Sequence, residues 1–276
     1  MKEKLQFRKG AEGFALIAGQ PSRPRAPHYH DELEVNVVLA GKASYLFGTR
    51  RVPLMAGSMI WLFPRQEHVL IDCTYDFSMW VVVFQPALVD RRTTDGNRQV
   101  LRARDPGDIF CRQIETRRAE LLNQVYESAS GEDRDIDFVN AALDYALVAS
   151  WDAYQFASEP LPRTDVHPAV AKAARLIAEA ETVLSLDELA HKAGLSAPRL
   201  SRLFKHQTGT SLTAFRQRKS LERFLRIYRK GARYSLIEAA LLAGFGSYPQ
   251  FHRVFCRLMG MNPASYRKQT RAPLAK

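Results

Sequence analysis

At 276 residues the chain is long enough for two domains, each with its own core. Three cysteines, Cys73, Cys111 and Cys256, are odd in number and far apart, which excludes a disulfide framework or a paired-cysteine metal site and points to a reducing compartment. The net charge is +11, the start MKEKLQFRKG lacks a signal-peptide apolar core, and no run approaches the roughly 20 apolar residues of a membrane span, so a cytoplasmic protein with an anionic partner is expected.

From Glu34 to Phe84 short runs alternate apolar residues: Glu34 to Ala40, Ser44 to Phe47, Met59 to Phe63, Val69 to Ile71 and Phe77 to Phe84. Turn signals separate them at Gly41-Lys42, Gly48-Thr49 and Ala56-Gly57-Ser58. Many short strands at regular spacing predict a sandwich or barrel over residues 1–95.

A helical segment follows over 96–157. Ile114, Leu121, Leu122 and Val125 recur at helical spacing, and Val139, Leu143, Leu147, Trp151 and Tyr154 form a second stripe after Ala129-Ser130-Gly131. The polar run from Ser158 to Thr164, with Pro160 and Pro162, reads as part of a linker over 158–166. A new helix is expected after His167, with Pro168 in its first turn.

Residues 167–272 read as an all-α domain with two helix-turn-helix motifs, over 185–209 and 235–260. The same pattern occurs twice, from Leu189 to Phe215 and from Ala239 to Tyr266. Ala190 matches Ala240, Gly194 matches Gly244, Arg202 matches Arg253, Phe204 matches Phe255, Gly209 matches Gly260 and Phe215 matches Tyr266. In the first copy Ala190 lets one helix cross another, Gly194 supplies a left-handed turn residue, and Leu200 and Leu203 anchor the second helix, with Ser196 at its N-cap. In the second copy the anchors fall one residue later after the glycine, and Gly246 is expected to make room. Thr164 to Lys276 holds 20 Lys+Arg and 7 Asp+Glu, a balance of +13; Met1 to Arg163 holds 20 and 22, a balance of −2. Basic excess confined to the repeats is the footprint of phosphate binding.

The run from His167 to Lys268 resembles the DNA-binding domain of AraC/XylS-type transcription regulators. The resemblance rests on Gly244-Phe245, the Phe251-His252-Arg253-Val254-Phe255 run, Gly260-Met261-Asn262-Pro263 and Tyr266-Arg267. The family commonly has Arg where this chain has Ser220, so that contact is absent or supplied by Arg218 or Lys219. The resemblance implies that Ser196 to His206 and Ser247 to Arg257 are recognition helices, entering successive major grooves about 34 Å apart. Arg202 and Arg253 are then the first candidates to read bases, since Arg pairs bidentately with guanine; Ser201, Arg199, Gln250 and His252 follow. Lys205, Arg257, Ser196 and Ser247 are candidates for phosphate contact.

In the front domain His28-Tyr29-His30, Glu34 and Gly41 fit H-x-H-x3-E-x6-G, and Gly57, Pro64 and His68 fit a shorter second motif, so the domain resembles a cupin barrel of the kind found as a sensor in many AraC-type regulators. Cupins that bind metal use such residues, which makes His28, His30, Glu34 and His68 candidates for one divalent ion. The second motif departs from the cupin pattern at Gln66 and Asp72, and in AraC-type sensors the same remnant also serves architecture or ligand hydrogen bonds. If the barrel is a sensor, His28, His30, Glu34, Tyr45, Trp61, Phe63, His68 and Trp80 line it, a mixture suited to a polar effector such as a sugar.

The expected whole is an α+β two-domain protein: a cupin-like β-barrel followed by helices, then the all-α DNA-binding domain. Its expected function is effector-responsive transcription regulation, activation by family resemblance, with double-stranded DNA and RNA polymerase as partners. A homodimer through the helical segment is expected, with no catalytic residues and no required cofactor. The alternative is a cupin-type metalloenzyme, a dioxygenase or isomerase, carrying a DNA-binding tail. A repair protein with a reactive cysteine ranks third, because no cysteine sits in a reactive motif.

Overall fold

A computed structural model describes residues 2–19, 28–74, 76–94, 96–131, 133–157, 160–179, 184–229 and 234–271. They divide into two compact units, one ending at Asp165 and one beginning at Val166.

The first unit is built on two antiparallel sheets. Strands β1 (Gly13–Gly19), β2 (Leu33–Ala40), β5 (Ser58–Leu62), β7 (Ser78–Phe84) and β8 (Phe110–Gln113) form one sheet in the order β1-β7-β2-β5-β8. Strands β3 (Lys42–Phe47), β4 (Arg50–Met55), β6 (Val69–Cys73) and β9 (Thr164–Asp165) form the other in the order β6-β3-β4-β9. This is a cupin-like arrangement hydrogen-bonded as two sheets. The five-stranded sheet is covered on both faces, and strand alternation sorts its side chains between them. On one face Val38, Ile60, Leu62, Val81 and Val83 pack with Tyr45, Val52 and Leu54 of the four-stranded sheet. On the other, Val35, Val37, Met59, Trp61, Trp80 and Val82 pack with the helices α2 (Thr116–Ala129) and α3 (Ile136–Gln155). A shorter helix α1 (Pro86–Arg92) and a 3-10 helix at Gly96–Arg102 complete the unit.

Several boundaries differ from the sequence expectation. The sheet does not end at residue 95, because β8 returns to pair with β5. The stripe from Val139 to Tyr154 is buried against its own sheet, with Leu143 and Leu147 fully enclosed. It therefore offers no free face for a second copy. In the expected linker Ser158 and Glu159 lie outside the described residues, but the rest is pinned: Pro160 bridges to Arg112, the Leu161 N–H donates to Cys111, Arg163 pairs with Asp108, and Thr164–Asp165 adds β9 to β4. Proline removes only its own donor, and its neighbours supply the others. Cys111 is enclosed here, and burial pushes its thiol up to about 12.

The second unit is a chain of helices: α4 (Pro168–Glu179), α5 (Leu186–Ala193), α6 (Ala197–Thr208), α7 (Leu212–Arg229), α8 (Leu236–Leu242), α9 (Tyr248–Met259) and α10 (Pro263–Arg271). The pairs α5–α6 and α8–α9 are the two helix-turn-helix motifs. Helix α7 joins them, contributing Phe224 to a core with Phe251, Phe255 and Tyr266. Among the described residues no helix is long and apolar enough to cross a membrane.

Candidate nucleic-acid interface and sensor cluster

Both motifs open with the same device. Ser185 accepts from the Glu188 N–H at 3.1 Å while Glu188 accepts from the Ser185 N–H at 2.7 Å, and Ser235 and Glu238 repeat this at 3.2 and 2.7 Å. Each capping box satisfies two helix-end donors. The Ser-x-x-Glu spacing at 185–188 and 235–238 would have shown it in the sequence. Gly194 and Gly244 carry φ of 76° and 93°, the left-handed region that ends a helix cheaply only for glycine. Gly246 plays a different part from the one expected. Its φ is not positive, and its N–H donates to Gln250 Oε1 at 2.9 Å, so the longer second turn is secured by a side chain rather than by glycine's conformational freedom.

Helices α6 and α9 bury matching faces, Leu200, Phe204 and Thr208 in one and Phe251, Val254, Phe255 and Met259 in the other. What remains outward is basic. Arg199, Arg202, Lys205 and His206 are exposed on α6, with Ser201 half-buried; His252, Arg253 and Arg257 are exposed on α9. Neither helix contains an Asp or Glu. Ser196 caps α6 by position with no side-chain cap bond, whereas the Ser247 hydroxyl accepts from the Gln250 N–H at 3.3 Å. Besides Ser247, four candidates have partners inside the unit. Gln250 holds the turn at Gly246, Arg257 Nη2 donates to Gln217 Oε1 of α7 at 2.7 Å, His252 lies against the Cys256 thiol at 3.7 Å, and Arg202 Nε donates to the Pro198 carbonyl of its own helix at 3.4 Å. At the position of the missing family Arg, Ser220 is buried, and Lys219 beside it is also buried, with its Nζ 3.0 Å from Glu222 Oε2.

In the first unit five of the eight sensor candidates come together. His28, His30, Glu34, Tyr45 and His68 are all buried, and the rings of His30 and Tyr45 lie 5.6 and 5.8 Å from that of His68. Asn36, which the sequence reading missed, links the set by donating to Glu34 Oε1 at 2.8 Å and the Tyr45 hydroxyl at 3.1 Å. Glu34 and Asn36 are two apart on β2 and so share a face; a polar pair in that phase among valines was the available signal. Trp61, Phe63 and Trp80 lie with the opposite, helix-covered core. Trp61 packs against Trp151, Phe63 against Phe110, and Trp80 against Tyr126 while donating to Asn123 Oδ1 at 2.8 Å. The expectation that these three line the same interior as Glu34 is corrected by strand phase: Ile60 and Leu62 face the space between the sheets, so Trp61 faces the helices.

The ligand atoms of His30, Glu34 and His68 lie within 4.8 Å of one another. His30 Nδ1 and His68 Nδ1 each sit 2.9 Å from a backbone carbonyl, of Glu32 and of Gln66. A carbonyl only accepts, so each Nδ1 carries a proton and each Nε2 is left for the cluster. His30 Nε2 stands 3.1 Å from Glu34 Oε2. Burial works against charge on His30, but contact with the Glu34 carboxylate and the Glu32 carbonyl outweighs it and raises its pKa. Burial, with the nearby charge of His28, pushes His68 down to about 3. The cluster thus combines one neutral imidazole with an imidazole–carboxylate pair, a donor set that suits either a divalent cation or a polar ligand.

Two family descriptions match this chain: an AraC-like ligand binding domain over residues 12–110 and a helix-turn-helix domain over residues 189–269. The probable transcription factor PqrA of Proteus vulgaris is 32% identical over 91 residues, which are 33% of this chain and 73% of PqrA. The transcriptional regulator Rob of Salmonella typhimurium is 36% identical over 87 residues, 32% of this chain; the chain spans only 30% of Rob. Among solved structures, ToxT of Vibrio cholerae aligns over 96% of this chain and 100% of its own at 12% identity, with a TM-score of 0.37. With a ligand-binding unit ahead of paired helix-turn-helix motifs, the chain belongs to the AraC family of DNA-binding transcription regulators.

Proposed function

We propose that this regulator is a one-component activator in which a small polar molecule, of the sugar class, engages the buried His30–Glu34–His68 cluster and alters how α6 and α9 are offered to DNA. The observation that carries the reading is the pair of acid-free helices, each turning an arginine outward at the matching position. Arg202 and Arg253 read base edges, flanked by Arg199, Ser201 and His252; Lys205 and Ser196 meet phosphate. Gln250, Ser247 and Arg257 combine DNA contact with the internal bonds that hold α9. The protein works in the cytoplasm as a homodimer and acts on RNA polymerase. The α3 face carrying exposed Phe138 and Tyr145 is the surface available for pairing, since the opposite stripe is buried.

The donor set also supports a divalent metal held by His30, Glu34 and His68. Such an ion would supply Lewis-acid coordination for an oxygen of the effector. The protein's own part is to fix the two imidazole tautomers through Glu32 and Gln66 and to orient Glu34 through Asn36. The same cluster is the one observation favouring a cupin-type metalloenzyme, and turnover of a substrate would mark that reading.

Incubating the purified chain with fragmented genomic DNA at physiological salt tests the proposal. Recovered fragments should share a bipartite site with halves about 10 bp apart, and adding the effector should change recovery. Recovery with no sequence preference would contradict regulation through these helices.

A further inference from the structure

His28 is the first histidine of the H-x-H-x3-E run, and its spacing groups it with His30 and Glu34. The structure separates it from them: the set of mutually close ligand atoms comprises His30, Glu34 and His68 and leaves His28 out. Distance is not the reason, since the His28 ring packs edge-on against His68 with centroids 4.3 Å apart. What differs is the direction of its nitrogen, because His28 Nε2 stands 3.2 Å from Glu3 Oε2.

Glu3 is placed there by the backbone. Its N–H donates to the Tyr29 carbonyl at 2.8 Å, Lys2 bridges in parallel to Tyr29, and the Lys2 ammonium pairs with Asp31 at 2.5 Å. The two histidines differ in which carboxylate they face: His30 Nε2 faces Glu34, itself a member of the close set, whereas His28 Nε2 is turned to Glu3, which lies outside it.

Resting on the metal reading above, we infer that the centre has three protein ligands, His30, Glu34 and His68, and that Glu3 is a positioning residue that holds His28 out of it. Two imidazoles and one carboxylate leave coordination positions open to an effector oxygen and suit first-row divalent cations. A fourth protein ligand would close the site in the manner of structural zinc centres. Glu3 therefore sets ligand number, and through it both affinity and access. At 26% side-chain exposure it can be changed without opening the core.

The full chain, stripped with a chelator, is titrated with Co(II) and in parallel with Zn(II) against a chromophoric competitor. Wild type should bind one equivalent. Glu3→Gln should bind about 10- to 100-fold more tightly, the range of outer-sphere effects on metal affinity, with stronger Co(II) ligand-field bands as coordination closes toward tetrahedral. His28→Ala alone should leave affinity unchanged and, added to Glu3→Gln, should return it to the wild-type value. Glu34→Gln should remove binding in either background. Metal binding by neither wild type nor Glu3→Gln would overturn the metal reading and this inference together. Equal affinity of wild type and Glu3→Gln, or loss of binding on His28→Ala alone, would overturn the role of Glu3 and leave the metal reading standing.

Discussion

Arg253→Ala lowers affinity for the cognate site by about 1 to 3 kcal/mol, roughly 5- to 150-fold, and flattens preference at one base pair. Arg202→Ala does the same at a second base pair about one helical turn away. The two residues sit at matching places on α9 and α6 and share no partner, so the losses add, reaching about 2 to 6 kcal/mol in the double variant. Lys205→Ala provides the contrast. As a phosphate contact it lowers affinity evenly across sequences and reduces the salt slope by about 0.9. Fluorescence anisotropy over a set of single-base operator variants at several salt concentrations separates the two behaviours. An even loss for Arg253→Ala would make it a phosphate contact.

Lys219→Ala destabilises the DNA-binding unit by about 3 to 5 kcal/mol above neutral pH, because it strips the partner from an enclosed carboxylate. Lys219 is 3% exposed, with its Nζ 3.0 Å from Glu222 Oε2. Burial, opposed by the Lys219 charge, pushes Glu222 up to about 7. A carboxyl whose folded pKa exceeds its unfolded value of about 4.3 stabilises the fold most when protonated. That stability is complete below the unfolded pKa and is lost as pH rises through the folded value. The wild-type unit therefore weakens between about pH 5 and 8, and Lys219→Ala weakens it more steeply because only the smaller effects of the Arg218 and Arg223 charges then offset the carboxylate. Hydrogen exchange of the α7 amides, measured on the full chain across that range, reports this unit specifically. Adding Glu222→Gln to the variant should recover most of the loss at pH 8, and a deficit independent of pH would contradict the assignment.

The second unit was more legible in the sequence than the first, for a physical reason. Helix-turn-helix geometry is local: Gly194 and Gly244 must take the left-handed conformation, and anchors such as Leu200 and Phe251 follow within a turn or two. Sheet geometry is not local. That Trp61 faces the helices and Glu34 the space between the sheets depends on the register Glu34↔Leu62, set by pairing between segments far apart in the chain. β4 escaped notice because Pro53 and two arginines obscure its pattern; β9 pairs only Arg50 and Arg51, which leaves the Pro53 stretch on an open edge where proline is tolerated. β1, rich in glycine and alanine, has too little alternation to declare itself. The histidine cluster was visible as spacing, but the withdrawal of His28 by Glu3 depends on an N-terminal segment that no motif includes.

Guanine-methylation interference on an enriched operator tests the central claim most directly, since it reports which guanine N7 atoms the protein needs. Two zones of interference about one helical turn apart are predicted, one abolished by Arg202→Ala and the other by Arg253→Ala. A single zone, or two zones that persist in both variants, would contradict the assignment of α6 and α9 as the two reading helices.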